Sequence, residues 1–102
     1  MTRKQMQRQI KRIFLQIQET REEGQKEYAR RSDNAFANFE RIGESLELKR
    51  EEVLLVYLLK HIDGICAFVK GHKQQREDIR GRLTDAIVYL CLLWGMIDDD
   101  KM

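Results

Sequence analysis

Proline is absent from this chain of 102 residues, and aromatic side chains are scarce. Neither sign of charge is in large excess, with 19 basic and 17 acidic residues. A turn-rich β fold ordinarily uses proline, so its absence favours long helices. The net charge of +2 provides no strong field for nucleic acid or a membrane surface. Aromatic residues make up 8% of the chain and do not alternate with a basic stripe, which argues against a nucleic-acid groove. The sequence also has no P-loop, no Rossmann glycine pattern and no HExxH motif.

Long hydrophobic runs are missing too. The two apolar runs, Val53–Leu59 and Ala86–Ile97, are far shorter than the roughly 20 residues that span a bilayer. The charged N-terminus lacks the apolar segment of a signal peptide. Cys66 and Cys91 lie in apolar helical stretches and form no zinc-binding spacing with the two histidines. We therefore expect a soluble, cytoplasmic protein with both cysteines reduced and packed in its core.

What the chain does have is helical periodicity, and this predicts an all-α fold. A Ser-Asp-Asn break at residues 32–34 and a glycine at position 71 separate helical segments. We expect a bundle of a long N-terminal helix, a short helix and two long buried helices, in a single domain. The predicted segments are approximately 2–31, 34–46, 48–70 and 76–98.

The last helix is apolar around most of its circumference, so it requires burial on several sides. Its core-facing stripe is expected to contain Ile79, Leu83, Ile87, Leu90, Trp94 and Ile97. The core side of the third helix is expected to contain Leu55, Leu58, Ile62, Ile65 and Val69. A chain of this length has too little core of its own to cover such a helix, so we expect a homo-oligomer.

Polar residues that interrupt apolar helical faces are candidates for a site. Lys60 and Asp63 lie three residues apart on one face of the third helix, as a structural ion pair or as part of a ligand site. Asp85 opens the apolar part of the last helix, where a carboxylate is either paired or a ligand. Glu23 and Glu27 lie one turn apart and form either a solvated face or a pair of metal ligands.

Three arginines, Arg76, Arg80 and Arg82, lie in the first turns of the last helix. The helix dipole disfavours cations at this end. Their position is explained if an anion such as phosphate binds there, since helix N-termini and arginines both attract phosphate. The alternative is that Glu77 and Asp78 simply pair with them.

Three blocks of the sequence resemble those of a known family. The first is Tyr28-Ala29 followed by DNAFANF at residues 33–39, and the second is the apolar segment 55–71 with Lys60 near its middle. The third block contains Glu77-Asp78-Ile79, Gly81-Arg82, Asp85 and Tyr89-Leu90. Together they cover about residues 27–98 and resemble the nucleotide-modification-associated domain family of small phage and prophage proteins. That family is similar to the all-α, MazG-like nucleotide pyrophosphohydrolases.

The resemblance implies a helical domain that handles nucleotides, with magnesium held by carboxylates in the catalytic relatives. By position, it implies Glu27, Lys60 and Asp85 as site residues, with Asn38 and Tyr89 nearby.

The chain departs from the family pattern where carboxylates are expected. Gly81 occupies an acidic position of the last block, and Val88 occupies a polar one. Lys26 follows Glu22-Glu23 where the MazG-type EExxE pattern needs a glutamate. A magnesium pyrophosphohydrolase needs several carboxylates converging on hard cations, so these departures favour binding over catalysis.

The leading hypothesis is a homo-oligomer that binds a phosphorylated nucleotide without a cofactor and sequesters or senses it, in a phage setting within the host cytoplasm to evade host defence. Arginines and Lys60 would hold phosphate, while Tyr28 or Phe39 would stack on the base. The candidate ligand-binding residues are Tyr28, Asn38, Phe39, Lys60, Arg76, Arg80, Arg82, Asp85 and Tyr89.

Two alternatives stay open. One is a magnesium-dependent nucleoside triphosphate pyrophosphohydrolase, whose acidic residues would be Glu27, Asp63 and Asp85, with Glu23 beside them. The other is a helical assembly module without a ligand, in which Lys60, Asp63 and Asp85 form a buried ion-pair network.

Overall fold

The computed structural model describes residues 1–28, 33–72 and 78–101, and these residues form four α-helices and no strand. The helices are α1 (Arg3–Tyr28), α2 (Ala37–Leu46), α3 (Arg50–Val69) and α4 (Ile79–Asp100). This confirms the predicted all-α fold and the order of long and short helices. α3 packs along α4, α1 packs against α4, and α2 packs against α3. No helix in these ranges is long and apolar enough to cross a membrane.

Short polar side chains fix where α2 and α4 begin. The backbone N–H of Phe36 donates to Asn34 Oδ1 at 3.0 Å, and this turn delays α2 to Ala37, three residues beyond the predicted start. Asp78 caps α4 by accepting a hydrogen bond from the Arg80 N–H at 2.8 Å. The predicted start of the last helix at residue 76 and the predicted end of the first at residue 31 lie outside the described residues.

α3 has a signal at each end. Glu52 Oε1 accepts a hydrogen bond from the Lys49 N–H at 2.9 Å, as in a capping box, and the helix begins at Arg50 rather than near Leu48. Gly71 follows the last turn with a φ of 93°, the left-handed conformation that glycine adopts without strain. The predicted stop at Gly71 is therefore confirmed.

The buried core lies among α2, α3 and α4. Its members are Phe39, Val53, Leu54, Leu58, Ala86 and Met96. α1 adds Ile17 as its buried residue. Because this core is small, much of the apolar surface of α3 and α4 lies outside it.

The prediction that one particular stripe of α4 faces the core is wrong. Leu83, Leu90, Trp94 and Ile97 are exposed, whereas Ala86 and Met96 are buried. The helix is apolar nearly all round, so periodicity did not indicate which side the neighbouring helices would cover. The small side chain of Ala86 lies in the core cluster with residues of α3.

The predicted core side of α3 is only partly correct. Leu58 is buried and Ile65 packs against the core, but Leu55, Ile62 and Val69 are exposed. The prediction that Cys66 and Cys91 are core residues is wrong as well, since both are free and exposed. Leu55, Ile62, Cys66 and Val69 lie on one side of α3, whereas Cys91 lies on α4 beside residues of α1 that include Ile17.

Arg50 joins the ends of three helices. Its guanidinium lies over the ring of Phe36 at 4.8 Å, and its Nη2 donates to the carbonyl of Met96 near the end of α4. Burial acts to lower the pKa of Arg50, but hydrogen bonds to Asp99, Asp100 and Glu51 outweigh it and raise that pKa. Four carboxylates surround the guanidinium, those of Glu40, Glu51, Asp99 and Asp100.

Candidate functional site

A cavity of about 170 Å³ lies between the C-terminal half of α1, the start of α2 and the middle of α4. Five residues predicted to bind a ligand line it, namely Tyr28, Asn38, Phe39, Asp85 and Tyr89. Glu23 and Glu27 also line it, so they do not belong to a purely solvated face. The fold thus brings together residues that are up to 72 positions apart in sequence, Thr20 and Leu92 being the extremes.

Helical spacing explains how each element contributes. Gly24 and Tyr28 lie one turn apart at the end of α1, and Asp85 and Tyr89 lie one turn apart in α4. A Cβ added at Gly24 would have its nearest contact at 4.0 Å, the Cδ2 of Tyr28. α1 runs through Gly24 as a continuous helix, and the missing side chain leaves room in the cavity.

Aromatic rings form the inner wall of the cavity. Phe39 meets the rings of Tyr57 and Tyr89 edge-on, each at 6.2 Å between centroids. Tyr57 and Tyr89 are stacked on each other at 6.2 Å with 13° between their planes. Phe39 is almost fully buried, so it is part of the core and is not free to stack on a base. Tyr28 is more than half exposed at the mouth and keeps that predicted role open.

His61 supports the site from α3, and sequence reasoning did not identify it. Its Nε2 lies 3.8 Å from Asp85 Oδ2, and its ring centroid lies 5.5 Å from that of Tyr89. The imidazole is buried, and its Nδ1 has no hydrogen-bond partner among the described protein atoms. Its place one turn after Tyr57, on the same face of α3, was the available signal.

Arg21 is a second residue that sequence reasoning did not single out. Its Nη2 donates to the side-chain oxygen of Gln25 and to the carbonyl of Ala35 at 3.1 Å. Gln25 in turn donates to the carbonyl of Asn34 at 3.1 Å. Burial lowers the pKa of Arg21, against the opposing charge of Glu22. These bonds attach α1 to the segment before α2 and hold one wall of the cavity in place.

The mouth of the cavity is electronegative. The pKa of Tyr28 is raised, chiefly by the charge of Glu27, with burial, a hydrogen bond to Glu27 and the charge of Asp85 adding to it. Arg41 donates from Nη2 to the carbonyl of Tyr28 at 3.1 Å and holds the end of α1 near α2.

The predicted phosphate-binding cations lie elsewhere. Lys60 is exposed on α3, and Arg80 is exposed and pairs with Asp78 at 3.5 Å. Arg82 lies against Gly64, with a buried Nε that has no partner among the described atoms. These three do not line the cavity. Arg76 lies outside the described residues.

The acidic residues predicted for the enzyme alternative do not all lie in the cavity. Glu23, Glu27 and Asp85 line the cavity, whereas Asp63 is exposed on α3. Within residues 1–28, 33–72 and 78–101, no three His, Cys, Asp or Glu side chains are close enough to share a metal ion. The set Glu27, Asp63 and Asp85 is therefore not assembled as one metal site here.

Comparisons with protein-family models, with curated proteins and with solved structures found no match for this chain. The relationship to the nucleotide-modification-associated domain family stays a prediction.

Proposed function

We propose that this protein binds a nucleotide by its base and sugar in the cavity between α1, α2 and α4, and retains the nucleotide without cleaving it. The observation that carries the proposal is the convergence of an aromatic ring (Tyr28), an amide (Asn38) and a carboxylate (Asp85) on one partly enclosed space. Ligand pockets typically combine apolar walls with a few such orienting polar groups.

The size of the cavity supports recognition of the base and sugar. Its volume of about 170 Å³ is below the roughly 300 Å³ at which pockets for drug-sized ligands begin, so the cavity suits part of a nucleotide better than the whole. A nucleobase is planar and matches a site whose mouth holds Tyr28 and whose wall holds Tyr89.

The polar residues of the lining also favour recognition of the base and sugar. Carboxylates accept hydrogen bonds from exocyclic amino groups and from sugar hydroxyls, and the amide of Asn38 both donates and accepts. The charges of Glu23, Glu27 and Asp85 disfavour phosphate inside the cavity. We therefore place the phosphates toward solvent. The guanidinium in the cavity lining that could face them is that of Arg21. By the family resemblance, the nucleotide would be a host signal that a phage protein sequesters in the host cytoplasm.

The test is thermal unfolding and calorimetric titration with a panel of nucleosides, nucleoside mono- and triphosphates and cyclic nucleotides. We expect at least one to raise the melting temperature, since a ligand at 100 times its Kd adds about 2.7 kcal/mol to the free energy of unfolding. No shift with any of them at millimolar concentration would contradict the proposal.

Glycine substitutions separate binding in the cavity from binding elsewhere. Gly24→Leu fills the cavity without removing a polar group, so it should abolish the shift. Gly81→Leu is the matched control, because a Cβ there meets nothing within 4 Å and the residue is outside the cavity lining. A ligand that both variants bind equally well lies outside the cavity. If the protein releases pyrophosphate from nucleoside triphosphates with magnesium or manganese, and Asp85→Ala abolishes that release, the protein is an enzyme and does not simply retain the nucleotide.

A further inference from the structure

The uncovered sides of α3 and α4 both carry apolar residues at coiled-coil spacing. In α3 the stripe consists of Leu55, Leu59, Ile62, Cys66 and Val69. In α4 the stripe consists of Leu83, Ile87, Leu90, Trp94 and Ile97. Both follow alternating steps of four and three residues, the a/d seam by which helices pack together.

The two stripes lie side by side. α3 and α4 are antiparallel, because Arg50 at the start of α3 contacts Asp100 at the end of α4, and Gly64 meets Arg82. On each helix the stripe is adjacent to the buried residue that fills the space between them, Leu58 in α3 and Ala86 in α4. We name this surface the α3–α4 apolar face.

The exposed area of the face is close to the area that one partner of a standard interface buries. Nine of its ten residues are exposed, and the eight large ones range from 38% for Ile62 to 78% for Val69, with Trp94 at 72%. At about 180 Å² for a fully exposed large side chain, these fractions amount to on the order of 700 Å². Monomers expose patches of about 300–600 Å², whereas a standard interface covers about 800 Å² on each partner.

We propose that a second copy of this chain packs its own α3–α4 apolar face against this one, so that four helices form a two-fold symmetric bundle. The proposal concerns the side of α4 opposite the cavity and does not depend on nucleotide binding. A two-fold interface requires a surface that is complementary to itself. The α4 stripe meets this requirement because Leu83 and Ile97 each lie seven residues from Leu90, so that Leu83 would lie opposite Ile97 in antiparallel packing.

Charges at the edge of the face suit the same antiparallel packing, since the midpoint of Arg80 and Asp98 is residue 89, one position from Leu90. Arg80 and Asp98 lie 18 residues apart, five helical turns, and therefore on one side of α4. Both are exposed, and antiparallel packing of α4 on α4 brings Arg80 beside Asp98 of the second copy. Opposite charges at these two positions favour the second copy as the occupant and fix its direction.

Sedimentation equilibrium of the full chain from about 1 to 100 µM tests the proposal. We expect a species of twice the 12.2 kDa chain mass. Leu90→Glu places a charge at the centre of the face and should weaken the dimer by about 100-fold or more. Val56→Glu is the matched control, since Val56 is an exposed apolar residue of α3 outside the stripe, and it should leave the dimer intact. Circular dichroism establishes that both variants keep their helices.

The wild-type chain provides a measurement that needs no variant. Trp94 is its single tryptophan and lies within the face. On dilution through the dimer dissociation range, its emission should shift to longer wavelength and acrylamide should quench it more strongly. A wild-type chain that is monomeric at 100 µM, a dimer that Leu90→Glu leaves unchanged, or a monomer that binds lipid vesicles through Trp94 would each overturn the proposal.

Discussion

Arg50, the first residue of α3, donates from Nη2 to the carboxylate of Asp100, the last residue of α4, at 2.7 Å. The same nitrogen donates to Asp99 at 3.1 Å and to the carbonyl of Met96 at 3.3 Å. A cation at the C-terminus of α4 is favoured by the helix dipole, and here it also offsets two aspartates that the dipole disfavours. The side chain of Arg50 therefore holds α3 and α4 together at the end where the chain does not connect them directly.

Replacement of Arg50 by Met should lower the free energy of unfolding by about 1–3 kcal/mol, because charge-assisted hydrogen bonds are lost and the carboxylates around them remain. Urea denaturation measures the change. Arg12→Met is the control, since Arg12 is exposed on α1 and its hydrogen bond to Gln9 is a solvent-exposed contact worth well under 1 kcal/mol. Equal losses in the two variants would contradict a special role for Arg50.

Asp100 should make stability depend on acid. A hydrogen bond with Glu51, followed by the hydrogen bond and charge of Arg50, holds the pKa of Asp100 below its ordinary 3.8. A carboxyl whose pKa is lower in the folded than in the unfolded state stabilises the fold above about pH 4 and loses that contribution as pH falls. In Asp100→Asn, the free energy of unfolding should therefore fall less steeply between about pH 4 and 2. Identical slopes would count against this assignment.

The pKa of Tyr28 should fall toward 10.0 when Glu27 is replaced by Gln, because the charge of Glu27 is the main cause of its elevation. NMR of ¹³C-labelled tyrosine resolves the three tyrosines of the chain and follows each through its titration. A pKa raised in the folded state means that this contribution to stability is present below pH 10 and decreases above it. Glu19→Gln, elsewhere on α1 and outside the cavity lining, should leave the Tyr28 titration unchanged.

Two glycines should respond oppositely to alanine. A Cβ at Gly43 would lie 2.6 Å from the carbonyl oxygen of Leu48, a backbone atom that cannot move aside, so Gly43→Ala should destabilise the fold by about 1–3 kcal/mol. A Cβ at Gly81 meets nothing within 4 Å, so Gly81→Ala should stabilise α4 by about 0.5–1 kcal/mol. Thermal melts of both variants measure the signs, and a stable Gly43→Ala would show that the α2–α3 connection relaxes easily.

Local patterns predicted the helices well because their signals are local. Gly71 ended α3 as expected, and the polar residues around Asn34 marked the break before α2. Spacing failed to predict which side of α4 is buried, because a helix that is apolar nearly all round has no preferred side. The choice depends on how closely α3 approaches Ala86, a property of the tertiary structure.

For the cavity too, the sequence predicted some of the residues and missed others. The order of the motifs indicated Tyr28, Asn38 and Asp85, and the fold brings them together. His61 was not identified because its partner, Asp85, comes from a different helix and is 24 residues away in sequence. Lys60 lies one position before His61 yet is exposed, since one residue rotates a side chain about 100° around the helix axis.

The modest anchoring of α1 affects how the cavity opens. α1 forms one wall of the cavity but supplies Ile17 as its buried residue, while the core belongs to the other three helices. Segments with few buried contacts open locally at a lower free energy than the whole molecule. Amide hydrogens in the second half of α1 should therefore exchange with solvent before those of α3 and α4. A ligand would then gain entry by local opening of this helix, and once bound it would slow exchange there first.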